Sequence, residues 1–310
     1  MTFEKKHSLN RRRFLTTAGA VAGGLMSAPS LSTASAAETC PAAKGAHAIN
    51  IVPMPAAVPS REGVAKLSEV GLWYTDSGGD GDAVVFLHPA TTSGKVWGYQ
   101  QPVFAAAGYR FIGYSRRSYA GSDAGPSDST SSDADDLLQL MDSLGIKIFH
   151  GVGVAAGGIR LIDFALSYPD RLKSMVIACT TGGVSDPGYE AVSQTLLPKG
   201  FADLPPAFRE LSGSYRVGNP EGTKAWEAQV ANAIPGKRSR LNEKNVITWE
   251  GISRIDKPIM LLTGDADLYM PPAVLDMFAA KLPKAEKHVI GIVNLTDRGT
   301  RCAMTGYDRL

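Results

Sequence analysis

The sequence is short of cysteine, of charge of one sign and of long apolar runs, and each shortage removes a class of protein. Its 3 cysteines are Cys40, Cys179 and Cys302. At those separations they form neither a disulfide framework nor a zinc-type ligand set, and no other metal-ligand cluster stands out. Lys and Arg number 32 against 30 Asp and Glu, a formal charge of +2. That balance carries no electrostatic footprint for nucleic acid. The apolar run from Phe14 to Met26, rich in Gly and Ala, is too short for a stable membrane span. Repeats and long low-complexity segments are absent as well.

What is present fits one globular α/β domain with an export leader. Residues 1–37 have a basic start, the modest apolar run and small residues ending Ala34-Ser35-Ala36, the layout of a signal peptide. Arg11-Arg12, followed by Arg13-Phe14-Leu15, resembles the twin-arginine export signal. The expected location is therefore periplasmic or extracellular, with the twin-arginine machinery as one partner. Residues 38–62, rich in Ala, Pro and Val, read as a linker.

Beyond the linker, strands alternate with helices. Gly71 to Asp76, Ala83 to Leu87, Arg110 to Tyr114, Ile146 to Val154, Ser174 to Cys179, Pro258 to Thr263 and Lys287 to Ile292 read as strands. Residues 96–107, a segment opening at Asp133 and the stretch from Gly157 to Tyr168 read as helices. The acids at Asp133, Asp135 and Asp136 suit the positive end of a helix. Such alternation predicts a mostly parallel central sheet with right-handed crossovers. It stops between Gly182 and Asp256. The segment 183–256 reads as a helical cap inserted into a core formed by 63–182 and 257–310. A cap over the carboxyl ends of the strands would wall a pocket where open α/β sheets bind ligands. Phe201, Phe208, Trp226 and Trp249 read as packing residues of that cap.

The stretch GVGVAAGG, Gly151 to Gly158, joins a strand to a helix through a glycine-lined turn. Two chemistries use such a turn. A dinucleotide loop, approximated by Gly151, Gly153 and Gly157, would hold a pyrophosphate on the helix amides. Against it, the loop follows a middle strand, and the next strand ends Ala178-Cys179-Thr180-Thr181 without an acid for a ribose. The other is a nucleophile elbow, a sharp turn whose central residue is held at strained backbone angles between small neighbours. Its centre here is Ala155.

Four segments in order carry a resemblance to the α/β-hydrolase fold superfamily, over roughly residues 64–292. They are the strand and loop ending His88-Pro89-Ala90, the segment Ser115-Arg116-Arg117-Ser118-Tyr119-Ala120-Gly121-Ser122, the turn at Ala155, and Pro258 to Pro272. The resemblance implies hydrolysis of a small ester-like substrate. It places the nucleophile at Ala155, the triad acid at Asp267 with Asp265 second, and oxyanion donors at the amides of Ala90 and Ala156. His88 would belong to the pocket loop.

Two parts are missing from that machine. A methyl group at Ala155 cannot attack a carbonyl. Leu295 stands roughly where the triad histidine belongs. His288 reads as an edge or packing histidine, His150 as core, and His88 as loop architecture. Ser93, Ser118 and Thr180 are not convincing substitutes for the nucleophile. Serine-type hydrolysis is thus expected to be weak or absent. The alternatives are a non-catalytic pocket protein for a small ligand, or lyase or oxygenase chemistry without a covalent step. No cofactor is expected.

The tail GIVNLTDRGTRCAMTGYDRL lacks the apolar helix that the resemblance implies after the last strand. One codon choice for Arg298 to Gly306 reads, in a neighbouring frame, G-H-A-V-R-Y-D-W, which supplies a Gly-His of the implied type. The hypothesis is a frameshift. Sequencing the locus is expected to find that alternative frame intact, and a gene with no such reading would remove the idea.

Overall fold

The computed structural model describes residues 53–291 except Arg240 and Pro283. The leader, the twin-arginine pair, Leu295 and the frameshift segment all lie outside the described residues. Among these residues, eight strands form one sheet in the order β1-β2-β4-β3-β5-β6-β7-β8. The strands are β1 (Arg61–Lys66), β2 (Gly71–Asp76), β3 (Ala83–Leu87), β4 (Arg110–Tyr114), β5 (Phe149–Val154), β6 (Leu172–Ala178), β7 (Ile259–Gly264) and β8 (Ala285–Ile290). β2 pairs antiparallel with both β1 and β4 at one edge, and the remaining pairings are parallel.

The central strands are mostly apolar because both their faces are covered. β3, with the sequence AVVFL, is buried at every position. Its alternate residues serve two cores. Val85 and Leu87 join the larger cluster with Leu137, Leu161, Phe164 and Phe278, whereas Val84 and Phe86 join a smaller one with Trp97, Phe104 and Phe111. Phe86 lies 5.1, 5.0 and 4.7 Å from those three aromatic rings. The smaller cluster is covered by α1 (Gln100–Ala106), which supplies Phe104. The larger one is covered by α2 (Asp133–Ser143), α3 (Ala156–Ser167) and α9 (Pro272–Ala279).

α2 starts where the acids predict. Ser132 caps it in a reciprocal box with Asp135, which satisfies two backbone amides at the helix start. Asp136 holds the buried Arg117 through two hydrogen bonds of 2.7 and 2.8 Å. Burial raises the Asp136 carboxyl above its ordinary range, against the pull of that guanidinium. Between β6 and β7 lie α4 (Pro187–Leu196), α5 (Pro206–Glu210), α6 (Gly213–Gly218), α7 (Pro220–Ala231) and α8 (Trp249–Ser253).

β6, β7 and β8 are each displaced by one or two residues from expectation, and three other boundaries differ more. β1 begins inside the stretch read as linker; of its side chains only Ala65 is buried, so no alternation marks it. It exists through its ladder to β2, from Arg61 opposite Asp76 to Lys66 opposite Gly71. β5 starts at Phe149 rather than Ile146, with Ile148 exposed and the register shifting between Phe149 and His150. The segment 96–107 divides into a short 3-10 turn, Gly94–Val96, and α1. Replacing Arg117 by Met strands the buried Asp136 charge. The expected loss is about 3–5 kcal/mol in urea unfolding at neutral pH, and Asp136→Leu in the same chain should recover part of it.

Candidate functional site

The turn after β5 is held by steric necessity. A Cβ on Gly157 would lie 2.0 Å from the Leu87 carbonyl oxygen, and one on Gly153 would lie 2.6 Å from that of Gly157. Only glycine permits this packing of α3 against the ends of β3 and β5. The chain then reverses at Ala155 with φ 50° and ψ −116°, a strained region for a residue with a Cβ. The Ala155 amide donates to the Ala178 carbonyl at 2.9 Å, which ties the turn to β6. Ala156 opens α3, so its amide belongs to the first turn, where helix amides lack intrahelical partners.

His88 is completely buried at the end of β3. Its Nε2 accepts the Arg116 backbone amide at 3.1 Å, so Nδ1 carries the proton and donates to the Pro89 carbonyl at 2.7 Å. Burial, then the positive charge of Arg116, pushes its pKa well below the ordinary value. It is a neutral lock between the loops after β3 and β4. Ala90 lies in the same loop, and its carbonyl accepts the Tyr119 hydroxyl at 2.9 Å.

Asp267 lies in the loop after β7. Its Oδ1 accepts the amides of Tyr269 and Met270 at 2.8 and 2.9 Å. Thr263 approaches its Oδ2 at 3.3 Å, although that hydroxyl donates more closely to the Met270 carbonyl, at 2.6 Å. The Cys179 thiol, just past β6 at φ 48°, also bonds this carboxylate. Burial, reinforced by the Asp267 charge, drives that thiol pKa strongly upward, which makes it a donor rather than a nucleophile. Asp265 is exposed, and its amide donates to Ile290.

Ala155 and Asp267 follow β5 and β7, which flank β6. At ~4.8 Å per strand spacing, those strands lie roughly 10 Å apart. A direct contact is excluded by that spacing, and a third group would have to bridge them. His150 is not that group, since it bonds Ser174 and faces Asp82 near the start of β5. Nor is His288, half-exposed on β8 beside Glu286. The hydroxyls of Ser93, Ser118 and Thr180 accept backbone amides from Lys95, Ser239 and Gly182. Beside Ala156 lies a hollow of about 30 Å³, lined among others by Arg116, Arg160, Arg238 and Ser239.

Residues 82–291 match the family model described as alpha/beta hydrolase fold. The chain belongs to the α/β-hydrolase fold family. Among its relatives in this family is a 2-hydroxy-6-oxononadienedioate/2-hydroxy-6-oxononatrienedioate hydrolase of Burkholderia vietnamiensis, 28% identical over 72% of this chain and 84% of that protein. Another is a 2-hydroxy-6-oxo-6-phenylhexa-2,4-dienoate hydrolase of Comamonas testosteroni, 34% identical over 65% of this chain and 82% of that protein. A thermophilic esterase from Thermogutta terrifontis shares the fold with a TM-score of 0.63, at 20% identity over 80% of this chain and 98% of that one.

The contact of Cys179 with Asp267 and the arginine-lined hollow were not foreseen. Arg116 was in view as part of the family segment, but Arg160 and Arg238 carry no local signal. Glycine at position 155 relieves the strain at the turn. Replacing Ala155 by Gly is expected to raise stability by about 1 kcal/mol in urea unfolding, strain relief outweighing the entropy of the freer chain. An unchanged or lower stability would mean the turn is not strained.

Proposed function

We propose that this α/β-hydrolase family protein binds a small substrate-like ligand at the turn after β5 and performs serine-type hydrolysis weakly or not at all. The observation that carries the reading is Ala155. Its backbone holds the bend of a nucleophile elbow, with its glycine neighbours packed to fit, yet its side chain is a methyl group. Loss of the attacking group leaves only what positioning and oxyanion donors contribute. Those donors are the amides of Ala156 and Ala90, acting on a carbonyl oxygen. Asp267 is the acid of this site. Two backbone amides fix the orientation of its carboxylate, which suits it to orienting a neighbour.

The ancestral substrate of such a site is a small ester or related carbonyl compound. The relatives named as oxo-dienoate hydrolases extend that class to small oxo-acids. We read 183–256 as its cap. Glu210 accepts the Thr91 hydroxyl at 2.6 Å, the Ala120 amide donates to Ala233 at 2.8 Å, and Phe201 meets Tyr269 with ring centres 5.3 Å apart. These contacts join the helical segment to the loops after β3, β4 and β7. Phe201 is buried and Trp249 packs on Tyr189 and Phe278, whereas Phe208 is exposed.

A panel of 4-nitrophenyl esters tests the reading on the unaltered chain. The expected result is no stoichiometric burst of nitrophenol, no labelling by a fluorophosphonate, and turnover roughly 10³-fold or more below that of an intact serine hydrolase. Brisk turnover that a serine-directed inhibitor abolishes would overturn it.

A further inference from the structure

The hollow beside Ala156 is built from arginines whose charges are unequally answered. Arg117 is paired with Asp136 and Glu69, and Arg160 with Asp133 and Glu243. Arg116 is not paired with any carboxylate among the described residues. It is only 4% exposed. Its Nη2 donates to the Pro89 carbonyl at 3.2 Å, while its buried Nη1 has no acceptor among the described residues. A buried guanidinium nitrogen without an acceptor is costly, because desolvation has been incurred with no bond in return.

A second positive charge sits close by. Arg116 and Arg238 lie over the same Tyr119 ring, at 5.2 and 5.7 Å from its centre. Burial is the main reason that His88 is neutral, and the charges of Arg116 and, more weakly, Arg238 act in the same direction. Two like charges on one ring repel unless an anion stands between them. Asp133 also lines the hollow, where its carboxylate is ion-paired with Arg160, 2.6 Å from Nε, without a well-aligned hydrogen bond from that nitrogen. The floor is Ala156, at the positive end of a 12-residue helix, which favours an anion in the same direction. The volume of about 30 Å³ admits a carboxylate head and little more.

We propose that this hollow is a carboxylate subsite, in which Arg116, helped by Arg238, holds the acid group of a small ligand whose chain extends toward the Ala155 turn. This deepens the reading above and rests on it, since it makes the ligand of that site an acid rather than a neutral ester. It uses an arginine that neither the turn nor Asp267 requires.

Equilibrium binding to the full chain, followed by calorimetry, tests the subsite without any turnover. The probes are pentanoate, its uncharged isostere pentanamide, and inorganic phosphate. Saturable one-to-one binding of pentanoate is expected, with pentanamide at least about tenfold weaker and phosphate weaker than pentanoate. Arg116→Met should weaken pentanoate at least about tenfold, and Arg116→Lys should recover part of that loss. Should Arg116→Met fail to fold, Arg238→Gln, an exposed change, decides in its place by weakening pentanoate roughly threefold or more. Equal affinity for the amide, preference for phosphate, no saturable binding, or unchanged affinity in the folded variants would each overturn the subsite. The ester panel is independent of these outcomes, so a failed subsite leaves the reading of Ala155 standing, and serine-type turnover leaves the subsite to be judged on binding alone.

Discussion

The close approach of Gly157 to the end of β3 is the contact on which the arrangement depends. With no side chain between them, the start of α3 settles against the Leu87 carbonyl. That closeness forces the preceding residue into a left-handed bend and leaves the first amides of α3 at the carboxyl ends of the strands. The loops after β3 and β4 then close around the same corner, joined by the buried imidazole of His88. A larger residue at Gly157 would not just crowd the turn. It would separate the helix from the sheet and take the site apart.

Charge is distributed around that corner in two ways. Arg117 and Arg160 hold the start of α2 and its neighbours through acidic partners, so their positive charge is spent inside the scaffold. Arg116 reaches the same region from the loop after β4 and meets the Pro89 carbonyl and the Tyr119 ring, with no carboxylate paired to it among the described residues. The difference lies not in the residue type but in which acids the fold brings near. Around Asp267 the balance is reversed: two amides and the Cys179 thiol converge on one carboxylate.

Much of the scaffold was legible because burial on both faces leaves a mark in the chain. β2, β3 and β4 run between the residues their apolar patterns predict, and α2 starts at the acids that favour its positive end. β1 left no such mark. Its outer residues face solvent, and it is a strand because β2 offers a ladder, not because its own sequence asks for one. The sharp turn at Ala155 was readable because small residues are obligatory there. Cys179 looked like the end of an apolar strand, and its bond to Asp267 depends on the spacing of β6 and β7.

The sequence by itself determined the alternation of strands and helices, the family, and the absence of a reactive atom at position 155. These are local properties, written in periodicity, in glycine spacing and in the identity of one side chain. Only the tertiary structure decided that Arg116 is left without an acid among the described residues, that Arg238 shares a ring with it, and that both adjoin Ala156. Those residues come from separate segments, and electrostatic energy depends on distances in space that no spacing along the chain encodes.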